Sequence, residues 1–360
     1  MIDQDTLDRL TEEADPAISI YLPIDPDRRD VRAPDGRLRT LTGEAERILE
    51  TRGLDVRRRE MLLKPVHEIA RNTDFAQHRS RALAIFAHNG TAEVFPLPGV
   101  VPSCAIAGRY FHVKPLLSFI ARNRRFYLLA LSAKNVRLFA ATPFAWSEVK
   151  LDLLPPELQA ELDSRLAAEG PSDEARKELL LSDPHRVADA VRAAVGADEA
   201  PIVLAAEPNI TGHFTKAAQL RQLYGQTLVL NPFSFSEAEL HAKAVELIRP
   251  LLDSECEAVI DLGNARLGTA EPTVSLRLEE VLIAARDGRV DAVIVDRDGV
   301  LWGRFEPEQE NVVAHGSQAA GDEDLLNLAA VLTLRQGGRA FAIERSRIPR
   351  QSPVMATLRY

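Results

Sequence analysis

The sequence predicts an α/β protein built from several consecutive domains. Three observations lead there. The chain has 360 residues, more than one hydrophobic core usually organises. Its apolar fraction of 46% is enough to fill such cores. Along it, short apolar runs bounded by turn residues alternate with stretches whose apolar residues recur at helical spacing.

The elements follow in order. Residues 18–23 read as a strand, followed by two helices marked by Ala45, Ile48 and Leu49, then by Met61, Leu62, Val66 and Ile69. Residues 81–87 and 91–96 read as a hairpin, because Asn89-Gly90 between them is a strong turn dipeptide. A further strand is expected over 105–111. The polar run Arg122-Asn123-Arg124-Arg125 then breaks the pattern, which places the first domain at 1–122.

Residues 126–131, 135–140 and 146–151 give three closely spaced strands joined by short turns. Residues 155–184 are polar and alanine-rich. A helix over 187–195, a strand over 202–206, a helix over 211–223 and a strand over 227–230 come next. Three strands, then helix, strand, helix, strand is a ribonuclease-H-like order, and it defines a middle domain at 123–232.

Ser236, with Glu239 three residues on, is a capping box that opens a helix to about residue 252. A second amphipathic helix is expected over 274–286 and strands over 290–295 and 300–305. A helix over 322–336 ending at Gly337-Gly338 precedes strands at 339–343 and 354–358. These make a layered α/β domain at 233–360.

Charge and composition narrow the function classes. Lys and Arg total 44 against 53 Asp and Glu, for a net charge of −9, so RNA contact has to come from local basic patches. Cys104 and Cys256 are far apart and form no CxxC or Cys/His run, so neither a disulfide framework nor structural zinc is implied. The acidic first segment has no apolar stretch of signal-peptide length, and no later segment approaches the roughly 20 apolar residues of a membrane span. A cytoplasmic location is the expectation, with no membrane or DNA partner.

Asp296-Arg297-Asp298-Gly299 after an apolar strand resembles the way haloacid-dehalogenase phosphatases present their nucleophile, but that chemistry also uses a downstream lysine, and none follows Lys243. The plainer expectation is a hairpin of 290–295 and 300–305 turning at Asp298-Gly299. Asp183-Pro184-His185-Arg186 reads as a helix opening. The eight histidines form no HExxH, and GxSxG and GxxxxGK[ST] are missing, so no metal, no cofactor and no nucleotide use is expected. Three arginine groups are candidate phosphate contacts: Arg57, Arg58 and Arg59; Arg122, Arg124 and Arg125; and Arg335 with Arg339.

Three stretches together resemble the bacterial archaeo-eukaryotic release-factor family, relatives of class-I release factors and Pelota. They are Ile18-Ser19-Ile20-Tyr21-Leu22-Pro23 with Phe111-His112-Val113-Lys114-Pro115-Leu116; Phe126-Tyr127-Leu128-Leu129-Ala130-Leu131-Ser132 with Val136-Arg137-Leu138-Phe139; and residues 324–338 with the final Leu358-Arg359-Tyr360. The resemblance implies a divergent N-terminal domain, a ribonuclease-H-like middle domain and a Pelota-like C-terminal domain of the kink-turn-binding ribosomal-protein fold. It also implies the ribosome or tRNA as partner, and a translational GTPase beside them.

True release factors carry Gly-Gly-Gln on a middle-domain loop. The corresponding stretch here, 151–183, holds Glu169-Gly170-Pro171-Ser172 and no such tripeptide. The resemblance therefore carries over a translation factor without peptidyl-tRNA hydrolysis, in the manner of relatives that occupy ribosomes in stress or hibernation. Two rivals stand beside it: a hydrolase acting on RNA or peptidyl-tRNA through the substitute loop, and a protein-interaction module independent of RNA. Tyr224-Gly225-Gln226 and Gln336-Gly337-Gly338 are both expected to be helix ends.

Overall fold

The computed structural model describes residues 4–24, 33–72, 80–132, 135–151, 184–267 and 273–360. The chain is mixed α/β, with four sheets among these residues. It divides into two compact units, Met1–Ala121 together with Glu255–Tyr360, and Arg122–Ser254.

The N-terminal part contains α1 (Gln4–Leu10), β1 (Glu13–Pro23), α2 (Ala33–Thr51), α3 (Val56–Asn72), β2 (Ala82–His88), β3 (Thr91–Leu97), β4 (Cys104–Tyr110) and α4 (Lys114–Ile120). Its strands form an antiparallel sheet in the order β3-β2-β1-β4. β1 is central and buried on both faces, so it reads as an almost unbroken apolar run. Ile18, Ile20 and Leu22 point to Leu38, Ala45 and Leu49 of α2 and to Leu62, Leu63 and Val66 of α3. Tyr21, Ala84 and Phe86 face the opposite way. The hairpin between β2 and β3 turns at Asn89 (φ 48°) and Gly90 (φ 75°), the two positive φ angles that make Asn-Gly the preferred pair.

The second unit begins with β5 (Phe126–Leu131), β6 (Val136–Thr142) and β7 (Ala145–Val149), an antiparallel meander. It continues with α5 (Pro184–Val195), β8 (Ile202–Ala206), α6 (Pro208–Ala218), β9 (Leu223–Val229) and the start of α7 (Glu237–Arg266). The sheet order is β7-β6-β5-β8-β9, with β8 parallel to both β5 and β9. Alternation along β5 sorts its two faces. Tyr127, Leu129 and Leu131 pack under Val187 and Val191 of α5 and Phe214 of α6. Phe126, Leu128 and Ala130 pack under Leu240, Ala244, Ile248 and Leu252, one stripe of α7 at every fourth residue. The capping box that opens α7 is formed: Glu239 Oε2 accepts from the Ser236 N–H at 2.9 Å, and Ser236 Oγ accepts from the Glu239 N–H at 3.3 Å.

The rest of the first unit holds β10 (Val274–Ser275), α8 (Leu278–Arg286), β11 (Val290–Asp296), β12 (Trp302–Glu306), β13 (Asn311–His315), β14 (Glu323–Asp324), α9 (Leu325–Arg335), β15 (Arg339–Ile343) and β16 (Val354–Leu358). A four-stranded sheet runs β10-β16-β11-β15, with β11 and β15 parallel. Its Ile294, Phe341 and Met355 pack against Val259 and Ile260 of α7. Val293 and Val295 face α8 and α9, in a core that is continuous with Tyr21, Ala84 and Phe86 of the N-terminal sheet. The N- and C-terminal parts of this unit thus share one apolar interior.

Four sequence expectations are corrected. The helix from Ser236 does not stop near 252 but continues to Arg266. Helix 274–286 begins only at Leu278, because Val274 and Ser275 pair with β16. The hairpin at Asp298-Gly299 does not form: β11 belongs to the four-stranded sheet, whereas β12 pairs with β13 and β14 in a separate one. Tyr224-Gly225-Gln226 is not a helix end. α6 stops at Ala218, where Gln219 turns left-handed (φ 44°), and the three residues lie in β9. There the pairing with β8 shifts from Ile202↔Leu223 to Leu204↔Thr227, and a glycine suits such a bulge. Gln336-Gly337-Gly338 does end a helix, with Gly337 at φ 69° and the Gly338 N–H donating to the Thr333 carbonyl at 2.9 Å.

Gly303 in β12 shows how tightly the small sheet is built. A Cβ there would run into the Val313 carbonyl oxygen, which is backbone and has no rotamer to escape through. Gly303→Ala is expected to lower stability by about 1–3 kcal/mol, measured as an earlier urea transition of Trp302 fluorescence. An unchanged midpoint would show that β12 and β13 separate at little cost.

Candidate nucleic-acid interface

The candidate arginines emerge from folding in different electrostatic states. Arg57 and Arg58 are exposed in the first turn of α3, and their guanidinium groups have no carboxylate partner among the described residues. Arg59, next in sequence, is buried. Its guanidinium reaches Glu50 at 3.2 Å and the Leu54 carbonyl at 3.4 Å, so it ties α3 to α2. A run of three arginines on a helix cannot share one face, and the third falls on the inner side.

Arg122 forms a two-pronged pair with Asp253, at 2.7 and 3.1 Å. Arg125 pairs with Asp198 at 3.0 Å. That carboxylate is held below its usual range, first by the Ala200 N–H and then by Arg125. Arg124 between them is exposed and has no carboxylate partner among the described residues. The fold does not bring Arg335 and Arg339 to a shared partner. Arg335 donates to the Tyr110 hydroxyl at 3.0 Å and lies 5.5 Å from the centre of its ring, whereas Arg339 binds Glu255 at 3.2 Å and Asp291 at 2.6 Å. Partners distant in sequence neutralise several of these cations, and charge counting along the chain could not find them. Glu169, Gly170, Pro171 and Ser172 lie outside the described residues. Asp183 does too, while Pro184 beside it opens α5.

The two stretches Phe111-His112-Val113-Lys114 and Asp324 to Asn327 meet in a buried polar cluster. Lys114 Nζ lies 2.7 Å from Asp324 Oδ2, with both side chains almost fully enclosed, and also donates to the Gly299 carbonyl. Asn327 Oδ1 accepts the Val113 and Lys114 N–H groups at 2.8 and 3.0 Å, and its amide donates to the Phe111 carbonyl at 3.1 Å. The Tyr21 hydroxyl donates to the His112 carbonyl at 2.5 Å, and Ser19 Oγ accepts the His112 N–H at 2.9 Å. Asp324 Oδ1 caps α9 through the Leu326 N–H at 3.1 Å.

This cluster is a clamp between the first strand, the fourth helix and the ninth. His112 stands 4.0 Å from Asp324, but burial pushes the imidazole down to about 4, with Asp324 opposing and Lys114 assisting that shift. It is therefore neutral at pH 7 and the contact is not an ion pair. The lysine that the dehalogenase-like motif lacks downstream is supplied, in space, by Lys114. It is already engaged by Asp324 and a backbone carbonyl, and Asp298 is paired with Arg297 at 2.9 Å, so a phosphoryl-transfer centre is not assembled.

A further group of exposed arginines, Arg345, Arg347 and Arg350, sits between β15 and β16. Sequence reading passed over it because Ser346, Ile348 and Pro349 interrupt the run; spacing counted over six residues would have flagged it. Among the described residues no helix is long and apolar enough to cross a membrane.

Residues 125–289 match the profile of bacterial archaeo-eukaryotic release factor family 3. No curated protein matches the sequence. Among solved structures, the chain is similar to an archaeal translation termination factor, aRF1, at 13% identity over 100% of this chain and 99% of that one, with a TM-score of 0.26. It is similar to Dom34 of S. cerevisiae, a translation termination-like factor involved in RNA quality control that interacts with Hbs1, at 13% identity over 76% and 74%, TM-score 0.34. It is also similar to archaeal Pelota from a ribosome-bound assembly with ABCE1, at 12% identity over 78% and 72%, TM-score 0.41. Likeness at that level carries no site geometry across. Over residues 125–289, a little under half of its length, this chain is similar to bacterial archaeo-eukaryotic release factor family 3.

Proposed function

We propose that the protein is a non-catalytic translation factor that associates with the ribosome or with tRNA in the cytoplasm, in stress or ribosome hibernation, with a translational GTPase as a further partner. One observation carries the reading: the family's central region is retained, while Gly-Gly-Gln occurs nowhere in the 360 residues. Without that tripeptide the backbone by which true release factors position a water in the peptidyl transferase centre is missing from the sequence. The family's three domains are proposed at 1–122, 123–232 and 233–360.

Co-sedimentation with ribosomes from growing and starved cells tests the association. Expected is a ribosome-bound fraction that rises on starvation; a protein that stays at the top of the gradient in both extracts overturns the reading. Purified protein is expected to release no peptide from peptidyl-tRNA on stop-codon ribosomes. Release that disappears when residues 151–183 are altered would establish the hydrolase reading instead, and binding indifferent to salt would favour an RNA-independent module.

Arg122, Arg124 and Arg125 are the proposed RNA contact of the second unit. Replacing all three with alanine is expected to weaken ribosome binding and flatten its salt dependence, with little change in melting, since exposed pairs such as Arg125 with Asp198 contribute little to stability. Co-sedimentation equal to the parent at every salt concentration would remove this patch from the interface.

A further inference from the structure

The loop joining β15 to β16 is short, charged and conformationally set. It consists of two 3-10 turns, Arg345–Arg347 and Pro349–Gln351, pinned to the body by buried Ile348 and Pro349. Two consecutive residues in it, Arg350 (φ 57°) and Gln351 (φ 52°), are left-handed. Neither is glycine, so the backbone holds a conformation that L side chains rarely adopt, and such strain tends to persist where it places a side chain for use.

Arg345, Arg347 and Arg350 all project into solvent. The neighbouring carboxylates are already engaged: Glu257 by Arg347 itself, and Asp298 and Glu344 by Arg297. Arg345 donates its Nε–H to the Gln351 carbonyl at 2.7 Å, which orients the guanidinium and leaves its two terminal nitrogens without a carboxylate partner among the described residues. Arg350 has no carboxylate partner among the described residues. In a chain of net charge −9 this leaves two exposed guanidinium groups without a carboxylate partner among the described residues, that of Arg345 held in place, just beyond the end of β15 in the parallel pair β11 and β15.

We propose that residues 344–352 form a preformed contact for the RNA phosphate backbone, in which Arg345 and Arg350 each take a phosphate. The choice of RNA rests on the translation-factor reading above. The chemistry fits independently: a guanidinium fork matches phosphate oxygens, and a loop already ordered loses little freedom when it binds. Arg347 acts as a positioning residue, because its bond to Glu257 of α7 fixes the turn between the other two.

The test uses the full chain with Arg345→Ala and Arg350→Ala combined, and purified ribosomal RNA as the probe in filter binding from low to moderate salt. The double variant is expected to bind about tenfold more weakly and to lose about 2 from the slope of log affinity against log salt. Replacing both with lysine should keep the slope but recover only part of the affinity. Circular dichroism should show the same melting in parent and variants, since neither side chain is buried. Equal affinity and slope in parent and double-alanine variant, or a parent that does not bind the RNA, overturns the proposal. Co-sedimentation with intact ribosomes separates the two readings. A parent that binds bare RNA through these arginines but never sediments with ribosomes sinks the ribosomal function and leaves the loop standing. A double variant that binds both RNA and ribosomes like the parent sinks the loop alone.

Discussion

Replacing Lys114 with methionine is expected to destabilise the first unit by about 3–5 kcal/mol, because the change strips a buried carboxylate of its cation. The Lys114 side chain is 3% exposed and that of Asp324 is 1% exposed, with 2.7 Å between the charged atoms. Neither can turn to water when the other is lost. Methionine fills most of the lysine's volume, so the effect isolates charge rather than a cavity. The same change leaves the Gly299 carbonyl without its donor. Adding Asp324→Asn removes the stranded charge while keeping a side chain that caps a helix well, and it should recover a good part of the loss.

The measurement can be confined to the correct unit. The chain has two tryptophans, Trp146 in the second unit and Trp302 in the first. In a Trp146→Phe background, fluorescence during urea unfolding follows Trp302 alone. A midpoint unmoved by Lys114→Met, or a double variant less stable than the single one, would show that the ion pair is not what joins the helices here.

Acid should loosen the same clamp through His112. Its folded value of about 4 lies below the ordinary 6.5 because the ring is buried. Above about 6.5 the imidazole is neutral in both folded and unfolded chains, and stability is unaffected. Between 6.5 and 4 the unfolded chain takes up a proton that the folded one refuses, so stability falls as pH drops through that window. Below 4 both forms are protonated and this contribution levels off. The span corresponds to about 3 kcal/mol. His112→Leu keeps the backbone groups that bond Tyr21 and Ser19 and removes the titration. The difference in urea midpoint between pH 7 and pH 4.5 should therefore be smaller in the variant than in the parent. Identical pH dependence in the two would mean that His112 is solvated or protonated in the folded state.

Local chemistry was legible in the sequence wherever a few neighbouring residues decide a conformation. Asn89-Gly90 makes the hairpin because both residues tolerate positive φ, Ser236 and Glu239 satisfy each other's N–H groups, and Gly337 ends α9 for want of a Cβ. The strands at 126–131, 202–206 and 339–343 followed from apolar runs that only burial on both faces explains. The family resemblance, too, was carried by sequence alone, through the three stretches at 18–23 with 111–116, 126–132 with 136–139, and 324–338 with 358–360, and their order.

Tertiary structure decided the rest. Nothing local distinguishes a strand that turns back on its neighbour from one that joins another sheet, so β11 and β12 could not be separated in advance. Tyr224-Gly225-Gln226 became strand because pairing with β8 outweighed the helix expected there. Above all, the state of each arginine depends on a carboxylate far along the chain: Asp253 for Arg122, Asp198 for Arg125, Glu50 for Arg59 and Glu255 for Arg339. A backbone turn is settled by the few dihedral angles it contains. A charge is settled by whatever folding brings within a few ångströms of it, and that is a property of the packed molecule.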